Sequence, residues 1–512
     1  MKHITNEIFQ AIISGRDFIN SNLYKENIIV FDDRVTLIDI AAVDVRIDKD
    51  SVVTREIHIE SGLFGLEIVE GIIPKTLRIK GGTFRHFTLD RPKFEKDGIL
   101  SIEGGVFQER VEINDGEFDR DCYIWNGQFN NGFGITGGLF KGNFMFHGGT
   151  FSRSVDIGGC KIIKELYIHK TTFEYDLLIT SGQFRHIRVW ECPGLKRLML
   201  SGKELYINQL DLQPTSPLTI YGFEFTIDHL NLGNCTFNKD VNLILHDIKV
   251  YVINMHRLYN FGYICLKGIE PMTSPRSRLR ANFPDKPTIV FRDSNLGKID
   301  FMGCDLTKFT IEFENSRITD ALVLGGKFSA DIILPKDSTE NIDEQKRLFM
   351  GQLKKVFEGK GDTLTSTYFH SEDMNAYNHS LLWNKNLLAS SNFEKINLRL
   401  NWISSNHGYS VRRASMSTVA VILIGYFLYC IALGVYPSLE KGSWREFGIV
   451  MSFAFEFMNP VHKSGIIPEG LGILKNDNGW ARSIEGLSRL VITYFIYQFI
   501  QAFRKHGKKS SS

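Results

Sequence analysis

No two of the seven cysteines, at 122, 160, 192, 235, 265, 304 and 430, stand at CxxC spacing. That absence argues against a zinc site and against a disulfide framework, and it suits a reducing compartment. Charge of one sign is missing as well: 60 basic residues face 58 acidic ones, a net charge of +2. No basic stripe interleaved with aromatics occurs, so no nucleic-acid partner is expected. The N-terminus, MKHITNEIFQAIISGRDF, has no long apolar core of the secretory kind, and the large N-terminal part is expected to stay in the cytosol.

Enzyme constellations are absent too. SGKE at 201–204 lacks the upstream glycine and the following Ser or Thr of a phosphate-binding loop. No HExxH, nucleophile elbow or dinucleotide fingerprint is found. His147, His169 and His186 do not make a metal-ligand spacing and read as surface residues. Asp119 and Asp121 read as a solvated turn. The expectation is a protein that is not an enzyme, with no cofactor, no metal and no catalytic residue.

Proline is scarce, at 13, whereas glycine (45) and phenylalanine (39) are abundant. A repeat accounts for both. From Gly104 a small residue precedes an anchor by two positions, and the anchors fall at Phe107, Phe118, Phe129, Phe140, Phe151, Ile162, Phe173 and Phe184, a step of eleven. Four and six positions after each anchor come paired apolar residues such as Val111/Ile113, Cys122/Ile124 and Phe144/Phe146. Alternation with a period of two is strand behaviour. A unit of eleven residues cannot bury a face alone and must stack on its neighbours. The pattern predicts a β-solenoid whose Phe, Val and Ile ladders fill the centre, with the small residue at a turn of unusual backbone. Cys122 takes an inward position and Cys160 replaces a turn glycine; both read as structural.

Units recur at Phe237/Val241/Leu243, at Ile318/Leu322/Leu324 and at Phe328/Ile332/Leu334. The interval 250–285 looks irregular and contains PMTSPRSR at 271–278, expected as a surface loop. Two or three units per coil fit equally well.

After Pro335 the period becomes helical. Helices are expected over 343–358, stopped by Gly359 and Gly361, over about 363–388, and over about 392–404. Residues 414–439 carry no Asp, Glu, Lys or Arg. That is long enough to cross a hydrocarbon core of about 30 Å. WREFGIVMSFAFEFMNP (444–460) is too short to span and reads as a re-entrant or interfacial helix stopped by Asn459-Pro460. LSRLVITYFIYQFIQAF (487–503) is the second candidate span, with Arg489 near its start. Tyr494, Gln498 and Gln501 form a polar stripe on it, facing either a water-filled path or another helix. Arg412 and Arg413 before the first span, and Arg504, Lys505, Lys508 and Lys509 after the second, place both ends in the cytosol.

The fold expected is therefore a mainly β N-terminal solenoid, an α-helical connector and a two-helix transmembrane domain with a re-entrant segment. The divisions are an N-terminal helix (1–24), the solenoid (25–335), the connector (336–410) and the membrane hairpin with its basic tail (411–512). LKKVFEGKGDTLTSTYFHSEDM (353–374) and LNWISSNHGYSVRR (400–413) resemble the connector of bacterial pentapeptide-repeat or related β-solenoid membrane proteins that end in a potassium-channel-like pore domain. The resemblance covers about residues 290–505. It implies an oligomeric, multi-pass protein of the inner membrane, four subunits by analogy, with a cytosolic sensing or assembly domain. One departure matters: FEFMNPVHKSG (455–465) stands where a TVGYG-type carbonyl filter would be. Glu456, Asn459, Tyr494, Gln498 and Gln501 are the pore-lining candidates. The rival expectation is a membrane-anchored solenoid that binds a protein partner without conducting ions.

Overall fold

The computed structural model describes residues 1–16, 26–213, 218–276, 283–386, 389–435, 444–459, 461, 466–470 and 479–507. The chain divides into two compact units, Met1–Ser338 and Thr339–Ser512.

The first unit is a β-solenoid of two long, mainly parallel sheets and one parallel two-stranded pair, Thr236–Phe237 with Tyr259–Asn260. Phe107 pairs with Phe129, and Phe129 with Phe151, in one sheet. Phe94, Phe118, Phe140 and Ile162 line up in the other. Successive anchors therefore alternate between sheets, and one coil holds two units. Rings stack along each column, at 4.8 Å for Phe107–Phe129, 4.4 Å for Phe129–Phe151 and 4.6 Å for Phe118–Phe140. Such pairs add about 0.5–1.5 kcal/mol each beyond the area they bury.

The solenoid begins well before Gly104. Phe64 and Phe84 continue the Phe107 column upward. The steps are 20 residues from Phe64 to Phe84 and 23 from Phe84 to Phe107, one coil shortened and the next lengthened against two units of eleven, and strand pairing tolerates that where the inward residues stay aligned. Residues 250–271 also belong to coils, with strands Lys249–His256, Tyr263–Lys267 and Glu270–Pro271. They look irregular because Asn260 stands where Phe237 stands one coil earlier. Asn260 is 2% exposed, and its amide donates to the Leu296 carbonyl at 2.8 Å and accepts from Gly262 N–H at 3.0 Å. A satisfied buried amide replaces an apolar anchor. The expected loop survives only in part: residues 277 and 278 lie outside the described residues.

The small residue two positions before the anchor does sit at a turn of unusual backbone: Gly105 (φ 100°), Gly138 (φ 92°), Gly149 (φ 79°) and Gly182 (φ 115°) all have positive φ. In other units the residue three before the anchor has it, as at Asp115 (φ 49°), Asn126 (φ 54°) and Lys170 (φ 52°). There the small residue makes room instead: a Cβ on Gly116 would lie 2.5 Å from the Phe118 ring. Cys160 and Thr171 do fit at equivalent places and are buried. In the unit after Ile318 the inward residues are Ala321 and Val323, while Leu322 is half-buried and Leu324 is 48% exposed; in the next unit Phe328 and Ile332 point inward as expected. Val323 pairs with Phe301. A slip of one residue exchanges the two faces of a strand.

The N-terminal edge is covered. Helix α1 (Asn6–Ile13) buries Phe9, Ile12 and Ile13, and the Thr5 hydroxyl caps it by accepting from Ile8 N–H. Residues Lys2–His3 pair with the strand Ile40–Asp48, and Ile28–Val30 folds back antiparallel on Arg34–Leu37. Covered ends prevent an open sheet edge from recruiting another chain. Of the expected N-terminal helix, residues 17–24 lie outside the described residues. All seven cysteines are buried and free. Burial pushes the Cys160, Cys192 and Cys235 thiols up to about 12 and raises Cys122 well above its ordinary value.

The second unit is helical. Helix α2 spans Ile342–Glu358, with Asn341 as its cap. Helix α3 spans Thr363–Ser380, shorter than expected. The buried Asn392 side chain donates to the carbonyls of Asn384 and Asn386 and accepts from Asn384 N–H. It thereby holds the segment in a turn; residues 387 and 388 lie outside the description. Helix α4 is Ser390–Ser405 and α5 is Val411–Leu433. Gly434, left-handed at φ 77°, ends α5 earlier than its apolar composition suggests; residues 436–439 lie outside the described residues. Helix α6 is Trp444–Met458, α7 is Ile466–Gly470 and α8 is Gly479–Gly507.

Among the described residues, α5 is the one helix long and apolar enough to cross a membrane, with a mean hydropathy of 2.2 over its best window. Only 28% of that window is buried within the protein. Ile424, Phe427 and Leu428 are all about half exposed or more. A core helix of a soluble protein would be enclosed, and a continuous apolar face of this kind calls for lipid or another subunit.

Candidate membrane-helix junction

The polar residues of the helical unit gather where α4, α5 and α8 meet. The Asn401 carbonyl oxygen of α4 accepts from Tyr494 O–H and from the Gln498 amide, both at 2.7 Å. Ser405 O–H donates to the Gln498 carbonyl oxygen at 3.3 Å. Ser417 O–H donates to the Ser404 carbonyl at 2.7 Å, and Thr418 O–H donates to the Phe495 carbonyl at 3.2 Å. Three helices are thus tied by side chains that an apolar environment would otherwise penalise.

The local sequence explains the placement. Ser410 caps α5 by accepting from Arg413 N–H. Asn406 and His407, both with positive φ (50° and 56°), turn the chain from α4 into α5. The Arg413 guanidinium lies 4.1 Å from the centre of the Trp402 ring, a cation–π contact that anchors the start of the apolar helix.

Deeper along α5, Gly425 allows close approach: a Cβ there would lie 3.0 Å from Ser488 Oγ on α8. Tyr426 O–H donates to the Val450 carbonyl of α6, and Tyr429 packs on Phe457 at 5.4 Å between ring centres. Arg489 pairs with Glu485 one turn earlier at 2.5 Å, and Glu485 is 3% exposed. Such pairing lowers the cost of burying either charge. At about 1.5 Å per residue, α8 exceeds the thickness of a hydrocarbon core, although its composition is too polar to qualify by hydropathy.

The five pore-lining candidates separate. Tyr494 and Gln498 converge on Asn401, and Gln498 is 7% exposed. Gln501 donates instead to the Tyr497 hydroxyl one turn back. Glu456 and Asn459 are exposed at the end of α6, where Asn459 accepts from Val461 N–H at 3.0 Å. Pro460 and residues 462–465 of the expected filter position lie outside the described residues.

No family model, curated protein or solved structure matches this chain. The sequence reading missed Asn401, Ser405 and Thr418. Their signal was present in the need of the α8 stripe for partners, but those partners lie 77 to 97 residues away in the chain and show no common spacing with it.

The solenoid carries a second feature. Trp125, His147, His169 and Trp190 align across successive coils on one outer face, beside Tyr123, Met145, Tyr167 and Arg188. Trp125 is 39% exposed, and Arg188 lies 4.9 Å from the Trp190 ring centre. His147 and His169 approach at 3.3 Å between Nδ1 atoms, while His186 meets the Asp211 carboxylate at 2.8 Å.

Proposed function

We propose that the chain is an integral membrane protein that holds its β-solenoid in the cytosol as a scaffold for a protein partner. Helices α5 and α8 form the anchor, in the inner membrane, with both ends cytoplasmic as the basic flanks Arg412, Arg413, Arg504 and Lys505 favour. The observation that carries this reading is the use of the α8 polar stripe inside the chain. With Tyr494 and Gln498 occupied by Asn401, the stripe serves as helix-to-helix glue. The aromatic ladder on the solenoid supports a binding role, because aromatic side chains and arginine dominate interface energetics.

A second reading, an oligomeric channel-like protein, is favoured by α6. It is a short apolar helix between α5 and α8, and it leaves Glu456 exposed for a ring of acids at an oligomer axis. Ion flux into liposomes reconstituted with the full chain separates the two readings. The scaffold reading predicts flux no greater than in protein-free liposomes, for the native chain and for Glu456→Gln alike. Flux carried by the native chain and removed by Glu456→Gln would transfer the function to the channel reading.

A further inference from the structure

Four basic side chains from four elements converge beside the α4–α5 turn: Lys354 of α2, His370 of α3, His407 of the turn and Lys505 of α8. Lys354 and Lys505 are the standing positive charges acting on His370, with the His407 ring beside them, and those acting on His407 are Lys505 and Arg413. Burial, reinforced by these charges, holds both imidazoles down at about 4. Both rings are therefore neutral at pH 7, and each offers one N–H.

Two of their ring atoms lack partners. His407 is 7% exposed, and its Nε2 is buried without a hydrogen bond; the Nδ1 of His370 is in the same condition. Buried polar atoms are rarely left this way unless something else satisfies them. Lys505 lies against the backbone of Gly408, where a Cβ would come within 2.9 Å of its Nζ. Among the described residues no carboxylate pairs with Lys505. Acidic groups do adjoin Lys354: Glu358 at 4.0 Å, and Asp373, which is held by Arg347 at 3.6 Å.

We propose that this cluster binds a phosphate group. Lys505 and Lys354 supply charge, and His370 and His407 supply directed N–H donors, the combination that suits a phosphate oxygen cage. The bound group would bridge α2 and α3 to one end of the α5–α8 pair, where α5 begins and α8 ends. It is either the headgroup of an anionic lipid, since His407 leads directly into the apolar helix, or a soluble phosphate compound. The proposal stands whether or not the chain conducts ions.

The test uses the full chain in detergent and in nanodiscs. Thermal midpoints are compared with inorganic pyrophosphate against chloride at matched ionic strength. They are then compared in nanodiscs of phosphatidylglycerol mixed with phosphatidylcholine against pure phosphatidylcholine. The variants are Lys505→Gln, His407→Asn, which keeps a residue tolerant of left-handed backbone, and the neighbouring exposed Arg504→Gln as a charge-matched control. The expected result is a rise in midpoint for the native chain and for Arg504→Gln, with at least a tenfold weaker apparent affinity in Lys505→Gln and His407→Asn. A response to phosphatidylglycerol alone assigns the site to lipid, and a response to pyrophosphate as well assigns it to phosphate groups generally. Equal responses in all variants, or no response of the native chain to either probe, would overturn the proposal.

Discussion

Phe129→Ala will destabilise the solenoid by about 3–5 kcal/mol, the range for removing a fully buried aromatic ring. Phe129 is completely buried. It is sandwiched between Phe107 and Phe151 with interplanar angles of 4° and 5°, and it meets Phe133 edge-on at 5.6 Å. Truncation removes three ring contacts and leaves a cavity that neighbouring coils, held by backbone ladders on both sides, are poorly placed to fill. Because each coil contacts only its neighbours, the loss is felt at two interfaces. Urea unfolding of the full chain in detergent, followed by the β signal in circular dichroism, measures it. The adjacent exposed Asn130→Ala is expected to change stability by no more than about 0.5 kcal/mol. Similar midpoints for the two variants would contradict the packed aromatic column.

Asn401→Leu is expected to loosen the helical unit by about 2–4 kcal/mol, because removing one partner leaves buried polar groups unsatisfied at about 1–3 kcal/mol each. The single Asn401 oxygen serves both Tyr494 and Gln498. Asn401→Asp retains an acceptor and should restore most of the loss. The measurement is thermal unfolding of the full chain in detergent, read by tyrosine and tryptophan fluorescence. A rescue by Asp identifies the hydrogen bonds as the cause. Equal behaviour of Leu and Asp variants would mean that the junction is held by apolar packing alone.

The eleven-residue period made the solenoid legible in the sequence because anchors between 107 and 184 never change spacing. The coils before Gly104, expected within the solenoid from residue 25, do not show the eleven-residue step, because one is shortened and the next lengthened while Phe64 and Phe84 stay in the column. Asn260 hid another coil, since a core amide satisfied by carbonyls of the next coil does not register as apolar. Pairing two units per coil required the register between strands, which one chain read linearly does not contain. Helix α5 was legible from its missing charges, whereas its end at Gly434 depended on one left-handed residue. At the candidate site, the stripe of Tyr494 and Gln498 was visible. Its destination at Asn401 was not, because tertiary approach brought together positions 93 and 97 residues apart.

The central claim is that the chain is embedded in a membrane through α5. Extraction of cell membranes containing the full-length protein with alkaline carbonate tests it most directly. The account predicts that the native chain stays in the membrane pellet, since an apolar helix with 28% of its window buried in the protein needs lipid around the rest. Quantitative release into the supernatant as a folded, soluble protein would contradict it and would require another subunit to cover Ile424, Phe427 and Leu428.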